Sequence, residues 1–355
     1  MTWDVESLVA LSGSDEASVT LLFEACFFSR PDPHWFTWKY QSDKRFDGIA
    51  LGMWQKGRLV AHYAGFPRTL VCGEEKLLAL QIGDVMVHPN ARHGLAKFNR
   101  FAKLTKGFFS EKLRNLDTTS DLSAHGESSQ VHSTYHVAYG FPNARHLMQG
   151  AIQACYRPAD LMFEMVWKID QKENILRNEQ GELLVDWVFN ETDRPRSALD
   201  SGVFNHVALE MIKSFKSKRV WAVPRSLDYW LWRFPTCRSY RWISVKENGD
   251  PQSLVAAAVL KPIDAGETYE LLDWICRPDM RSDAFDALLK KLKFEGVLTL
   301  RTWASESASS YFRSDAIDRI EKLAFQMALS IYPDACAADL VGNNLWMISG
   351  DTDFR

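Results

Sequence analysis

A short basic segment near residue 90 has the residue types and the spacing to bind an anion. The apolar residues 82–87 lead into His88, and Arg92, His93 and Gly94 follow within a few positions. At the start of a helix the backbone N–H groups have no partner inside the helix, and the helix dipole is positive there. A strand that enters a helix through a small basic turn therefore predicts a binding site for phosphate or a similar anion.

The elements that must position this segment predict an α/β fold with a mixed sheet. Apolar runs bounded by turn residues indicate strands, whereas apolar residues at helical spacing indicate helices. The predicted order is a helix at 14–30, strands at 48–54, 58–66, 68–72 and 76–88, an amphipathic helix at 94–114, a polar loop at 117–133, a strand at 136–141 and a helix that begins near 142. A loop of that length inside a domain is usually functional or disordered.

Three short blocks of the first half recur in the second half, in the same order and at nearly constant separations. Residues 38–40 match 232–234, residues 59–61 match 254–256, and residues 84–92 match 273–281. These matches predict two tandem copies of one fold, with domains at 1–165 and 166–355. Gly94 corresponds to Asp283 in the second copy, and a carboxylate there would repel a bound phosphate. We therefore expect the second copy to be degenerate, without an anion site.

Two segments resemble motifs of the GNAT acyltransferase superfamily. Residues 81–96 resemble the family's "V-x-P-x-x-R-x-x-G-x-G/A" motif, with one residue fewer between Arg92 and Gly94. Residues 140–143 resemble the "GFPN" segment of a bacterial branch that has a second, degenerate GNAT-like half. The resemblance implies that acetyl-CoA or another acyl-CoA binds at the strand and the turn. The residues implied in this binding are Val85, Met86, Val87, Arg92, His93, Gly94, Leu95, Ala96 and Asn143.

Several side chains near this segment are candidates for proton transfer. Asp84 or His88 could accept a proton from an amine that lies within hydrogen-bond reach. Each also has a structural interpretation, Asp84 as a carboxylate paired within the sheet and His88 as a loop histidine. The resemblance implies a proton-donating tyrosine at position 150, where this chain has Gly150. The tyrosines expected to replace it are Tyr139 or, alternatively, Tyr135 or Tyr156.

The composition disfavours several function classes. The net charge of −3 argues against a general nucleic-acid coat, which needs a basic surface. No apolar run reaches about 18 residues, so no membrane span is expected. The six cysteines show no CxxC spacing and there is no HExxH motif, so no metal site is expected. Because the first residues lack the pattern of a secretory signal, the cysteines predict a reducing, cytoplasmic location.

The sequence therefore predicts an acyl-CoA-dependent N-acyltransferase that transfers an acetyl or longer acyl group to an amine. The acceptor stays open among a small amine, an amino sugar and a peptide or protein amine. One alternative is a catalytically inactive acyl-CoA-binding or scaffold protein, which Gly150 and the short turn favour. A second alternative is a Fem-like aminoacyltransferase, which the negative net charge disfavours.

Overall fold

The structure is a computed structural model of the chain. It describes residues 7–92, 100–113, 135–169, 187–192, 199–235, 240–247, 253–312, 317–331, 338–342 and 344–352. The predicted polar loop at 117–133 lies outside these residues, as do His93, Gly94, Leu95 and Ala96.

Helices and strands alternate along the chain as expected of an α/β protein. In chain order they are β1 (Ser7–Ala10), α1 (Glu16–Phe27), α2 (Trp35–Tyr40), β2 (Ile49–Gln55), β3 (Arg58–Cys72), β4 (Glu75–Val87), α3 (Arg100–Lys112), β5 (Val137–Gly140), α4 (Ala144–Ile152), β6 (Tyr156–Lys168), β7 (Trp187–Thr192), α5 (Ser201–Lys213), β8 (Trp221–Ala222), α6 (Leu227–Arg233), β9 (Arg241–Glu247), β10 (Leu254–Ile263), β11 (Thr268–Cys276), α7 (Arg281–Phe294), β12 (Thr299–Ser305), α8 (Glu306–Ser309), β13 (Arg319–Ser330), α9 (Ala338–Val341) and β14 (Leu345–Trp346). None of these helices is both long and apolar enough to cross a membrane.

The described residues form two compact units. The first unit draws on residues 1–70, 75–160 and 324–343, and the second on residues 71–74, 161–323 and 344–355. In the first unit the strand order is β1-β2-β3-β4-β5-β13, and β4 and β5 are parallel. In the second unit the order is β6-β12-β11-β10-β9-β7, and β11 and β12 are parallel. The predicted division at residue 165 remains a prediction.

The three repeated sequence blocks occupy corresponding elements of the two units. The first block lies in α2 and at the end of α6, the second in β3 and β10, and the third begins near the ends of β4 and β11. Each unit therefore has the order helix, hairpin, strand, helix, strand. This arrangement confirms the predicted mixed α/β fold built from two copies.

Helix α3 covers one face of the sheet in the first unit, because its apolar side chains recur at helical spacing. Phe108 and Phe109 are buried, and their rings contact Tyr63 of β3 at centroid distances of 5.0 and 5.8 Å. Such aromatic pairs contribute roughly 0.5–1.5 kcal/mol beyond the burial of their surface. Successive strand residues point to opposite faces. His62 therefore points away from α3 and contacts Tyr40 of α2.

Strand β3 is longer than predicted. We expected separate strands at 58–66 and 68–72, because Pro67 lies between them and has no N–H to donate. The pairing between β2 and β3 ends at Gly65, so Pro67 lies beyond that ladder and the strand continues through it. The predicted hairpin, the strand at 136–141 and the following helix are confirmed as β2–β3, β5 and α4, and the helix at 94–114 is confirmed over Arg100–Lys112.

Candidate active site at the end of β4

The end of β4 extends beyond its neighbour β5. The parallel ladder pairs residues 79–82 with residues 137–140 and includes no later pair. On the other side the chain stays attached to β3, because the His88 N–H donates a 2.8 Å hydrogen bond to the Val60 carbonyl. Among the described residues, 83–87 therefore have no partner in β5. An extended ligand can pair with backbone groups at such an edge, as an added strand would.

The side chains at the end of β4 belong to the core, so a ligand would meet the main chain. Val85 and Val87 pack against the cluster that includes α3, whereas Met86 packs with residues of α1. The Val87 carbonyl accepts hydrogen bonds from Arg92 Nε at 2.9 Å and from the Cys26 thiol at 3.3 Å.

Cationic side chains surround this strand end. Arg92 is exposed directly after β4, and Arg58 Nη2 lies 3.2 Å from His88 Nε2. Burial lowers the pKa of His88, and the charges of Arg58 and Arg92 lower it further. Burial also lowers the pKa of His146, and the charges of Arg145 and Arg92 add to that effect. The three arginines thus create a positive potential that suits a phosphate.

Asp84 has both carboxylate oxygens engaged. Oδ1 accepts a hydrogen bond from Lys39 Nζ at 2.9 Å, and Oδ2 accepts one from the Tyr40 hydroxyl at 2.8 Å. The side chains of Lys39 and Asp84 are 7% and 8% exposed, so water screens this ion pair little. Asp84 is therefore a paired carboxylate in the structure. Its role as a proton acceptor stays a prediction.

His62 of β3 holds the main chain of the same aspartate. Its Nδ1 lies 2.7 Å from the Asp84 carbonyl oxygen. A carbonyl only accepts, so the proton is on Nδ1 and the lone pair is on Nε2. The buried Nε2 has no partner among the described residues. Burial lowers the pKa of His62, which keeps the ring neutral near pH 7.

His88 is the most accessible of the three predicted proton-transfer residues. Its Nδ1 accepts a 3.2 Å hydrogen bond from the Asn90 N–H, and its Nε2 lies 3.2 Å from the Arg58 guanidinium, whose positive charge disfavours a protonated ring. Tyr139 of β5, by contrast, is 1% exposed and its ring contacts Phe141. An amine arriving from solvent can therefore reach His88 more readily than Tyr139.

Asn143 has a local structural role at the start of α4. Its Oδ1 accepts a 3.0 Å hydrogen bond from the His146 N–H, so Asn143 is the N-cap of the helix. This cap is compatible with a second contact to acyl-CoA, which remains a prediction.

Tyr156 occupies the space beside Gly150. A Cβ added to Gly150 would lie 1.9 Å from Tyr156 Cζ. The Tyr156 hydroxyl donates a 2.6 Å hydrogen bond to the His146 carbonyl, and burial raises the pKa of Tyr156 as it does that of Tyr135. The position where the resemblance implies a tyrosine is thus closed to any side chain larger than hydrogen.

Lys39, Tyr40 and His62 are site residues that the sequence did not indicate. Lys39 and Tyr40 belong to a repeated aromatic block, and that repetition favours core packing over an acceptor pocket. His62 is the only histidine in the apolar run 59–66. That isolated position was the available signal.

In the second unit the corresponding gap is filled by the chain itself. The ladder between β11 and β12 pairs residues 268–270 with residues 299–301 and stops there. Beyond it, the Trp303 N–H donates a 2.7 Å hydrogen bond to Ser349 Oγ, and residues 347–351 lie along the freed edge of β12. We term residues 347–351 the plug segment.

Buried charges and a close backbone approach fix the plug segment. Arg225 bonds to Asp351 within it and lies 3.3 Å from Asp273 at the end of β11. A Cβ added to Gly350 would lie 2.6 Å from the Leu272 carbonyl oxygen, so only glycine allows this approach. In the part of the chain that the structure describes, no group of three His, Cys, Asp or Glu side chains is arranged to hold a metal ion.

Comparison with known proteins identifies the fold of this site. Residues 9–115 match the acetyltransferase (GNAT) domain family. No curated protein sequence matches the chain. The GNAT match includes β4 and the basic segment after it, and it supports acyltransferase activity in general.

Solved structures extend the GNAT likeness over nearly the whole chain. A conserved protein of unknown function from Enterococcus faecalis, described as a probable N-acyltransferase, is 12% identical with a TM-score of 0.62, over 92% of this chain and 72% of that chain. A GCN5-related N-acetyltransferase from Kribbella flavida is 10% identical with a TM-score of 0.62, over 92% and 71%. A tandem GNAT protein from the clavulanic acid biosynthesis pathway is 10% identical with a TM-score of 0.50, over 93% and 100%. These likenesses show the fold, two GNAT units in tandem.

Proposed function

We propose that the first unit is an acyl-CoA-dependent N-acyltransferase that transfers an acetyl or longer acyl group to an amine. The observation that carries this proposal is the end of β4, residues 83–87, which among the described residues has no partner in β5 and lies within a segment that matches the GNAT domain. A strand edge suits the amide-containing pantetheine arm of CoA, and a positive potential suits its phosphates. Both features occur together at this strand end.

In the proposed donor site, the main chain binds one part of CoA and cationic side chains bind another. The pantetheine arm would pair with the main chain of residues 85–87. Arg92 would face the phosphates, and Arg58 and Arg145 would add to the positive potential. Contacts from residues 93–96 and from Asn143 remain part of the proposal.

The proposed reaction is direct transfer. The amine nitrogen forms a bond to the thioester carbonyl carbon, the C–S bond breaks, and CoA leaves as the thiolate. Main-chain N–H groups at Met86 or Val87 would stabilise the oxyanion, which is commonly the largest single contribution to catalysis. Neutral His88 would accept the proton that the amine loses. Asp84 and Tyr139 receive no proton-transfer step, because the first is ion-paired and the second is buried.

A second candidate function is binding of acyl-CoA without transfer. The observation that favours it is Tyr156 beside Gly150, which leaves no tyrosine at the position where the resemblance implies a proton donor. The two candidates share the donor site and differ only in whether CoA thiol is released in the presence of an amine.

Calorimetric titration with acetyl-CoA and longer acyl-CoAs tests the donor site. We expect one site per chain. Arg92→Ala removes a charge-assisted hydrogen bond and should raise the Kd about tenfold or more. Arg281→Ala is the matched control, because Arg281 corresponds to Arg92 in the second unit and packs over the Tyr311 ring. Absence of binding at every chain length, or an Arg92→Ala variant that binds like the parent, contradicts the proposal.

Release of CoA thiol over a panel of amines then separates the two candidates. Release that depends on an amine supports the transferase, and it should fall in His88→Gln, with most of the loss at pH values where the parent's His88 is neutral. Binding without amine-dependent release supports the second candidate.

A further inference from the structure

Asp84 has a backbone conformation that is costly for its residue type. Its φ is 48°, in the left-handed region, although it lies within strand β4. A residue with a Cβ pays about 1–2 kcal/mol for this conformation. Aspartate tolerates it better than most residues, yet such strain persists only where the surroundings hold it in place.

Three side chains hold Asp84 from two directions. Lys39 and Tyr40 bind its two carboxylate oxygens, and His62 donates from Nδ1 to its carbonyl oxygen. The His62 ring leaves a buried nitrogen without a partner among the described residues, which typically costs about 1–3 kcal/mol. An apolar side chain would avoid that cost. The histidine is therefore better explained by the bond to the Asp84 carbonyl than by the stability of the core.

Aromatic rings restrict the movement of the two groups on α2. The Tyr40 ring stacks on Phe36 at 4.8 Å, and Lys39 Nζ lies 5.1 Å from the Phe66 ring centre. Lys39 and His62 are both buried. The partners of Asp84 are thus fixed before any ligand arrives, as a positioning role requires.

The left-handed residue lies directly before the residues proposed to meet acyl-CoA. The pairing of β4 with β5 ends at Ile82, and residues 85–87 follow Asp84. A positive φ in a strand turns the peptide groups that come after it, as in a β-bulge. We propose that Lys39, Tyr40 and His62 lock Asp84 in this conformation, and that the lock orients the main chain of residues 85–87 toward acyl-CoA. Asp84 is then a positioning residue. This inference rests on the proposed function for the identity of the ligand.

Two substitutions distinguish a positioning role of Asp84 from a role as a proton acceptor. Asp84→Ala removes the carboxylate and keeps the strain, so residues 83–87 should relax toward extended strand. Asp84→Gly also removes the carboxylate, but glycine adopts a φ of 48° without strain. We expect the Kd for acetyl-CoA to rise about tenfold in Asp84→Ala and by about threefold or less in Asp84→Gly. Deuterium exchange of a peptide spanning residues 82–88 should likewise increase more in Asp84→Ala than in Asp84→Gly.

A second pair of variants tests the hold on the main chain. His62→Leu removes the donor, whereas His62→Asn keeps a nitrogen donor near the position of Nδ1. The lock predicts faster exchange and weaker binding in His62→Leu, and near-parental values in His62→Asn. Asp273→Asn, at the corresponding position of the second unit, is the control and should change neither the exchange of residues 82–88 nor the Kd.

The outcomes that overturn the lock are distinct from those that overturn the proposed function. Equal Kd and equal exchange in Asp84→Ala and Asp84→Gly, or parental values in His62→Leu, contradict the lock. Loss of turnover in both Asp84 variants with parental Kd and exchange instead assigns Asp84 the proton-acceptor role. If the parent binds no acyl-CoA, the proposed function fails. The exchange series still decides whether the lock exists.

Discussion

The two units leave the same gap in their sheets and treat it in opposite ways. In the first unit β4 extends past residue 82 with no partner in β5 among the described residues. In the second unit β11 extends past residue 270, and the plug segment, residues 347–351, occupies the space beside β12. Because the fold is repeated, the protein has two gaps in which an extended chain can lie. We infer that only the first place is left for a ligand.

The buried carboxylates at the two gaps also differ in their partners. Asp84 has one cation, Lys39, and a hydroxyl as partners. Asp273 shares Arg225 with Asp351, so two buried carboxylates contact the same cation. Burial raises the pKa of Asp273 to about 6, Asp351 adds to the increase, and Arg225 opposes it. The first cluster controls the shape of a strand, whereas the second attaches the plug segment to β11.

Arg225→Met should give the largest effect on stability, because it leaves two buried carboxylates without their cation. Removing one partner of a buried ion pair typically lowers the free energy of unfolding by about 3–5 kcal/mol. Chemical denaturation followed by tryptophan fluorescence measures this loss. Under native conditions the folded variant should still bind acyl-CoA like the parent. A Kd raised about tenfold, as expected for Asp84→Ala, would contradict the division between the two units.

Gly350→Ala tests whether the plug segment must lie against β11. The added Cβ meets a main-chain oxygen at 2.6 Å, and a backbone cannot rotate away as a side chain can. Forcing an extra methyl group into a packed interior typically costs about 1–3 kcal/mol. The denaturation midpoint should fall accordingly. An unchanged midpoint would show that the plug segment is not held at this distance.

Gly150→Ala also introduces a Cβ into an occupied space, here in the first unit, and a second substitution can relieve it. The new Cβ meets the Tyr156 ring, which is a side chain, so the loss should be smaller than at Gly350. Tyr156→Leu frees the space, and the double variant should recover part of the stability lost by Gly150→Ala. A double-mutant cycle measures this coupling. Additive losses would show that the ring and Gly150 do not compete for space.

The smallest expected effect is the pH dependence of stability that His62 contributes in the first unit. The pKa of His62 is lowered in the folded protein from a usual value of 6.5. Below pH 6.5 the unfolded chain takes up a proton at this position while the folded chain does not. The free energy of unfolding therefore decreases as the pH is lowered. The limiting slope for one proton is about 1.4 kcal/mol per pH unit. His62→Asn should remove this contribution, whereas substitution of His206, which is 68% exposed, should not.

Local sequence predicted the elements better than it predicted the site. Periodicity and turn residues indicated the hairpin, β4, β5 and α4, and the repeated blocks indicated two copies. The contacts of Asp84 could not be read in the same way, because Lys39 and Tyr40 are more than 40 positions away. Its left-handed φ has no sequence signal, since aspartate is common in both extended and turn conformations. The plug segment was missed for the same reason, since only tertiary structure brings it beside β12.

Two segments that complete the sheets lie far along the sequence, and they set a minimum time for folding during synthesis. Residues 328 and 329 of β13 pair with β5 in the first unit, and the plug segment completes the second. The first sheet cannot be finished until synthesis has passed residue 329, and the second cannot be finished until it has passed residue 351. At roughly 5–20 residues per second, β5 waits about 10 s or longer for its partner after it has left the ribosome. During that interval an unpaired strand edge is open to other chains, so slower translation should increase aggregation of this protein.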